Sequence, residues 1–122
     1  MEKKIMLTPL ELKVMDILWK LERAYIKDIL AHWPEASKPA YNTVSTIVRI
    51  LQDKKKYIGH MEKGRSHQYY PLVSKESYQQ DFLENAVEKV FSGSVQSLLS
   101  ALIEQENMTD AELEELKKLL DR

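Results

Sequence analysis

The stretch Tyr41-Asn42-Thr43-Val44-Ser45-Thr46-Ile47-Val48-Arg49-Ile50-Leu51 decides how the chain reads. At about 100° per residue, Val44, Ile47, Val48 and Leu51 gather on one side of a helix. Asn42, Ser45, Thr46, Arg49 and Asp53 fall on the other. One side is suited to packing, and the other presents short hydrogen-bonding groups and a guanidinium. The helix is expected from about Tyr41 to about Lys55. Directly after it stands the basic run Lys54-Lys55-Lys56, and then Tyr57-Ile58-Gly59-His60-Met61-Glu62 and Ser66-His67-Gln68-Tyr69-Tyr70 flank Lys63-Gly64-Arg65. That pattern predicts a β-hairpin whose glycine turn carries two positive charges at its tip.

Working toward the N-terminus, Thr8-Pro9-Leu10-Glu11 is a capping box with proline at the first helical position. The helix it opens carries Leu10, Val14, Ile17, Leu18 and Leu21 at helical spacing, widened by Met15 and Trp19. A shorter pattern, Ile26, Ile29, Leu30 and Trp33, stops at Pro34, because the residue before proline is pushed out of the helical region. Pro34 to Pro39 is then a turn. Helix, helix, turn, helix, basic hairpin is the order of a winged helix-turn-helix, in which the third helix enters a major groove and the wing reaches the backbone or minor groove. This domain is expected over residues 1–73. Trp19 and Trp33 sit on apolar stripes and read as core, not as stacking platforms.

Toward the C-terminus the pattern becomes purely helical. Ser74 caps a helix with Tyr78, Phe82, Leu83, Ala86, Val87, Val90 and Phe91 at its apolar positions, ending at Ser92-Gly93. Val95, Leu98, Leu99, Leu102 and Ile103 form a second stripe. Thr109-Asp110-Ala111-Glu112 is another capping box, opening a helix with Leu113, Leu116, Leu119 and Leu120 inward and Glu114 paired with Lys118 outside. Three short helices over residues 74–122 rarely bury enough surface to stand alone. The simplest partner is a second copy, met through Phe82, Val90, Phe91, Leu98, Leu99, Leu102, Leu116 and Leu120. The expected fold is therefore mainly α: a winged helix-turn-helix with a small β-hairpin wing, followed by a three-helix dimerisation domain.

Charge follows the same division. Residues 1–73 hold 13 Lys and Arg against 8 Asp and Glu, whereas residues 74–122 hold 5 against 11, so a net charge of −1 hides halves of +5 and −6. The whole positive excess lies between Lys38 and His67, which suits a polyanion at the third helix and wing. A chain that is 43% hydrophobic is not a disordered polymer, and its lack of cysteine excludes disulfide scaffolds and thiolate metal clusters. No uncharged apolar run approaches the ~18 residues that span a bilayer, and Glu11, Lys13 and Asp16 interrupt any signal-peptide core, so a cytoplasmic protein is expected. His32, His60 and His67 lie in three different elements with no ligand spacing among them, which argues against a metal site. The acidic Asp110, Glu112, Glu114 and Glu115 suit a helix N-terminus through the dipole alone. Paired carboxylates, a nucleophile elbow and a phosphate-cradling glycine loop are all missing, so catalysis has no visible machinery, and no cofactor or small-molecule ligand is expected.

The stretch from Tyr41 to Leu51, the hairpin end His67-Gln68-Tyr69-Tyr70-Pro71-Leu72 and the late Glu112-Leu113-Glu114-Glu115-Leu116 resemble the penicillinase repressor family, which includes beta-lactamase and methicillin-resistance repressors. The resemblance runs from Leu10 to Leu120. It implies a homodimeric antibiotic-resistance repressor that binds palindromic operator DNA and is released when a membrane-bound sensor protease responds to a signal and the dimerisation region is cut. Thr43, Ser45 and Thr46 match the family's operator-contacting positions, with Asn42 and Arg49 as neighbours; Lys54, Lys55, Lys56, Lys63, Arg65 and His67 would meet phosphate. The bond cleaved in the best-known members matches Ala101-Leu102, where this chain does not carry the family's Asn-Phe. Two further departures stand out: the glycine that usually follows the recognition helix is missing from the one-residue-longer Asp53-Lys54-Lys55-Lys56-Tyr57, and the tail cysteines of the copper-responsive branch are absent. The competing class is a winged-helix protein-interaction adaptor that reads no DNA sequence.

Overall fold

A computed structural model describes residues 6–106 and 109–120, and divides the chain into two compact units, Met1–Gln79 and Gln80–Arg122. In the first unit α1 (Pro9–Leu21), α2 (Ile26–Ala31) and α3 (Tyr41–Asp53) precede the antiparallel strands β1 (Ile58–Lys63) and β2 (Ser66–Pro71). The capping box at Thr8 forms in both directions: Glu11 N–H donates to the Thr8 hydroxyl at 3.2 Å and Thr8 N–H donates to the Glu11 carboxylate at 2.9 Å. Val14, Met15 and Leu18 of α1, Ile29 of α2, Val44, Val48 and Leu51 of α3, and Tyr57 and Ile58 are all but fully buried in one cluster. The two apolar stripes and the packing side of α3 therefore meet as expected. Leu10 is the exception at 43% exposed, since it lies in the first turn of α1 and turns away from the cluster. Trp33 is buried, and half-buried Trp19 donates its indole N–H to the Val73 carbonyl at 2.8 Å, so both tryptophans serve the core.

α3 ends two residues before Lys55. Its last turn widens, with the amides of Lys54 and Lys55 both donating to the Ile50 carbonyl and that of Tyr57 to the Leu51 carbonyl. Lys56 closes the turn at φ +62°, the left-handed conformation that glycine adopts without penalty. The missing glycine is thus replaced by a strained lysine. The hairpin pairs Lys63 with Ser66, and Gly64 takes the first of the two turn positions at φ +65°, as a type II′ turn requires. A bridge absent from the sequence reading joins Ala24 to Tyr69 by two backbone hydrogen bonds of 2.8 and 2.9 Å, tying the α1–α2 connection to the wing.

α4 (Lys75–Asn85) begins at Ser74, whose hydroxyl accepts from Ser77 N–H at 3.0 Å. Its first turn belongs to the first unit through Tyr78, which is 6% exposed, accepts a hydrogen bond from Leu7 N–H at 3.2 Å and packs its ring against Trp19 and Tyr57. In the second unit α4 passes into a π-helical turn over Ala86–Val90 and breaks at Ser92 and Gly93, both at positive φ. α5 (Val95–Glu106) and α6 (Asp110–Leu120) follow; Ser94 caps the former, and Thr109 with Glu112 forms the expected capping box on the latter. Among the described residues of this unit Leu98 is the one buried apolar side chain, while Phe82, Val90 and Ile103 stand 49%, 70% and 37% exposed. Phe91, Leu99 and Leu102 are half-buried and Ala101 is exposed, with the Ala101-Leu102 bond inside α5. The side chains of Leu113, Leu116, Leu119 and Leu120 lie outside the described residues.

Candidate nucleic-acid interface

Burying Val44, Ile47, Val48 and Leu51 turns the opposite side of α3 outward. Asn42, Thr43, Thr46 and Arg49 are exposed there and Ser45 is half-buried. The Thr46 hydroxyl donates to the Asn42 carbonyl at 2.9 Å, so its proton is committed to the helix. What Thr46 offers outward is a methyl group and an acceptor lone pair. Beside this face the hairpin, α3 and the start of α2 enclose an open groove of about 610 Å³, lined among others by Tyr41, Ser45, Lys63, Arg65 and His67.

The groove also holds residues that the sequence did not point to, among them Tyr41 and Lys27. Tyr41, 56% exposed, opens α3, and Lys27, in the first turn of α2, extends its ammonium over the Tyr25 ring at 5.7 Å from the centroid. Lys27 follows Ile26 directly and is therefore off the apolar stripe of α2, a signal present in the helical spacing of Ile26, Ile29 and Leu30. At the back of the groove, burial first of all pushes the Tyr69 phenol above its ordinary value, with Tyr41 and Asp53 adding to the rise and Arg49 opposing it. Tyr69 is thereby held as a neutral phenol.

Cations divide into two groups. Lys54, Lys56, Lys63 and Arg65 are exposed, and none has a carboxylate within ion-pair distance among the described residues. Lys55, which the sequence groups with Lys54 and Lys56 as a phosphate contact, is instead turned inward. Its ammonium lies 2.5 Å from the Glu11 carboxylate and 3.1 Å from the Met6 carbonyl, with only 11% of its side chain exposed. Burial would push the Glu11 carboxyl up, but the hydrogen bond from Lys55, the Thr8 backbone amide, the Lys55 charge and the Thr8 side chain together hold it below its ordinary value. The widened end of α3 rotates Lys55 inward while leaving its two neighbours outside. His67 is exposed, and its ring stacks on His60 across the hairpin at 4.4 Å. His32 ends α2 apart from them, its Nδ1 3.0 Å from the Asp28 carbonyl.

The penicillinase repressor family model matches residues 7–122. The chain belongs to the penicillinase repressor family. Members of this family are transcriptional regulators and not enzymes. The chain is 28% identical over 112 residues to the methicillin resistance regulatory protein MecI of Staphylococcus aureus, covering 92% of this chain and 90% of that protein. It is 22% identical over 122 residues to the penicillinase repressor of Bacillus licheniformis, covering 99% and 94% respectively. Among solved structures, the DNA-binding domain of the repressor BlaI superposes with a TM-score of 0.51 at 24% identity, covering 64% of this chain and 94% of that one. Monomeric Bacillus licheniformis BlaI in complex with the blaP half-operator gives 0.50 at the same identity and coverage. The family's winged-helix fold is thus the fold of the first unit.

Proposed function

We propose that the chain is a homodimeric repressor that reads a palindromic operator through the exposed side of α3 and straddles phosphate with the wing. The observation that carries this reading is the convergence on one groove, beside the exposed polar side of α3, of Tyr41 and Ser45 with Lys27, Lys63 and Arg65, cations with no ion-pair partner among the described residues. Short side chains on a groove-entering helix suit base edges, and flanking cations suit backbone. With its proton engaged, Thr46 reads either as an acceptor for an exocyclic amine or as a methyl against thymine. Arg49 reaches guanine or phosphate. Lys54, Lys56 and His67 complete the phosphate set, and Lys55 drops out of it.

Two-fold symmetry sets half-sites about 10 bp apart or a small multiple of that. The second unit, with Phe82 and Val90 outward, supplies the dimer contact, and its negative charge keeps it off the duplex. Joining two weak half-site binders raises the effective concentration of the second, so cutting the chain releases the operator without altering the reading face. A membrane-bound sensor protease cutting Ala101-Leu102 would act on a bond inside α5, and the helix must open locally before that bond becomes extended substrate. The protein works in the cytoplasm, where the operator is.

Selection of duplexes from a random pool by the full chain tests this. Recovery of a palindrome bound far more tightly than random DNA is the expected result. Equal affinity for both would overturn the reading and favour an adaptor. Val90→Asp should shift the chain toward monomer in sedimentation and weaken binding to the full palindrome more than to a half-site.

A further inference from the structure

Three side chains of the wing have a geometry that phosphate contact does not explain. The hairpin register sets Glu62 opposite His67, and His60 lies two residues from Glu62 on the same face of β1. The imidazoles of His60 and His67 stack at 4.4 Å and 12°, and one donor atom from each of His60, Glu62 and His67 lies within 4.8 Å of the other two. His60 and His67 belong to different strands, but antiparallel pairing of β1 with β2 brings those strands together.

Gln52, on α3, fixes the state of His60. Its amide nitrogen donates to Asp53 Oδ1 at 3.2 Å, which leaves Oε1 facing His60 Nδ1 at 2.8 Å. An amide oxygen only accepts, so Nδ1 carries the proton and the lone pair of Nε2 is left for another partner. An imidazole whose second nitrogen is held by an oxygen acceptor is the usual arrangement of a metal-ligating histidine.

We propose that His60, Glu62 and His67 bind a divalent transition-metal ion of the zinc class on the wing, with Gln52 as the positioning residue behind His60. Two imidazole nitrogens and one carboxylate oxygen suit zinc, nickel or copper(II) and not the harder magnesium or calcium, which take oxygen ligands. Three protein ligands leave a fourth tetrahedral position for water or another oxygen. With metal–ligand bonds of about 2.0–2.2 Å, ligand atoms stand roughly 3.4 Å apart. Glu62 and His67 are exposed, so turning their side chains closes the present spread without moving the backbone. The site does not depend on the DNA-binding reading.

The test is calorimetric titration of the untagged full chain with zinc chloride, without DNA. The chain holds three histidines and no cysteine, so competing sites are few. A single site per chain is expected. His60→Ala and His67→Ala should each weaken it at least tenfold, and Gln52→Ala, which removes no ligand, by about 10–100-fold. His32→Ala should leave it unchanged. Thermal melts establish that each variant is folded. Absence of binding in the wild-type chain, or binding that survives His60→Ala and His67→Ala combined, would overturn the proposal.

Discussion

Replacing Lys55 by methionine separates a lysine paired with Glu11 from the exposed neighbours proposed to meet DNA. The substitution keeps the aliphatic stem and removes the ammonium that sits 2.5 Å from a Glu11 carboxylate whose side chain is 8% exposed. Removing one partner of a buried pair costs about 3–5 kcal/mol, because the other charge is left uncompensated. Thr8 N–H still donates to Glu11 Oε1 at 2.9 Å, so the lower end, about 3 kcal/mol at neutral pH, is expected. Urea unfolding of wild type and variant measures it. The pH dependence has a definite sign. In the wild type the Glu11 carboxyl is depressed, so its contribution is present above the unfolded-state value of about 4.3 and is lost as pH falls through the lower folded value. In Lys55→Met the Lys55 hydrogen bond and charge are gone and only the Thr8 hydrogen bonds still oppose burial, so the neutral acid is favoured more than in the wild type and the deficit should shrink as pH falls into the ordinary carboxylate range of about 4–5. In DNA titrations the slope of log affinity against log salt should stay unchanged, whereas Lys63→Ala should reduce its magnitude by about one unit. A stability loss below about 0.5 kcal/mol, the range of ordinary surface changes, or a salt slope reduced as in Lys63→Ala would refute the inward assignment.

Further expectations concern single elements. Thr46→Ala should lower the preference for operator over random duplex while leaving the salt slope intact; equal loss on both DNAs at several salt concentrations would count against a base-reading role. Lys56→Gly relieves a left-handed lysine and should stabilise the protein by about 0.5–1 kcal/mol, read as a melting temperature a few degrees higher. Tyr78→Phe removes the acceptor for Leu7 N–H and should cost about 1 kcal/mol in urea unfolding, with DNA affinity unaltered.

Much of the fold is legible along the chain because the signals that set it are local. The capping boxes at Thr8 and Thr109 need only residues three apart, and both form. The division of α3 into packing and polar sides follows from helical period, and the wing from a glycine turn between alternating strands. The end of α3 was less legible. No rule of propensity anticipates a left-handed lysine, which is held there by Tyr57 being fully buried immediately after it.

What the sequence by itself determined about this protein is therefore the order of its elements, their buried and exposed faces and the placing of its charge. Tertiary structure alone decided the rest. It sent Lys55 inward to Glu11 across 44 residues of chain, gave Tyr78 to the first unit by joining it to Leu7, and bridged Ala24 to Tyr69. It also brought His60, Glu62 and His67 together. Helical and strand periods report which way a side chain points within its own element. They carry no record of what will face it once distant elements pack, and charge compensation and ligand geometry depend on that facing partner.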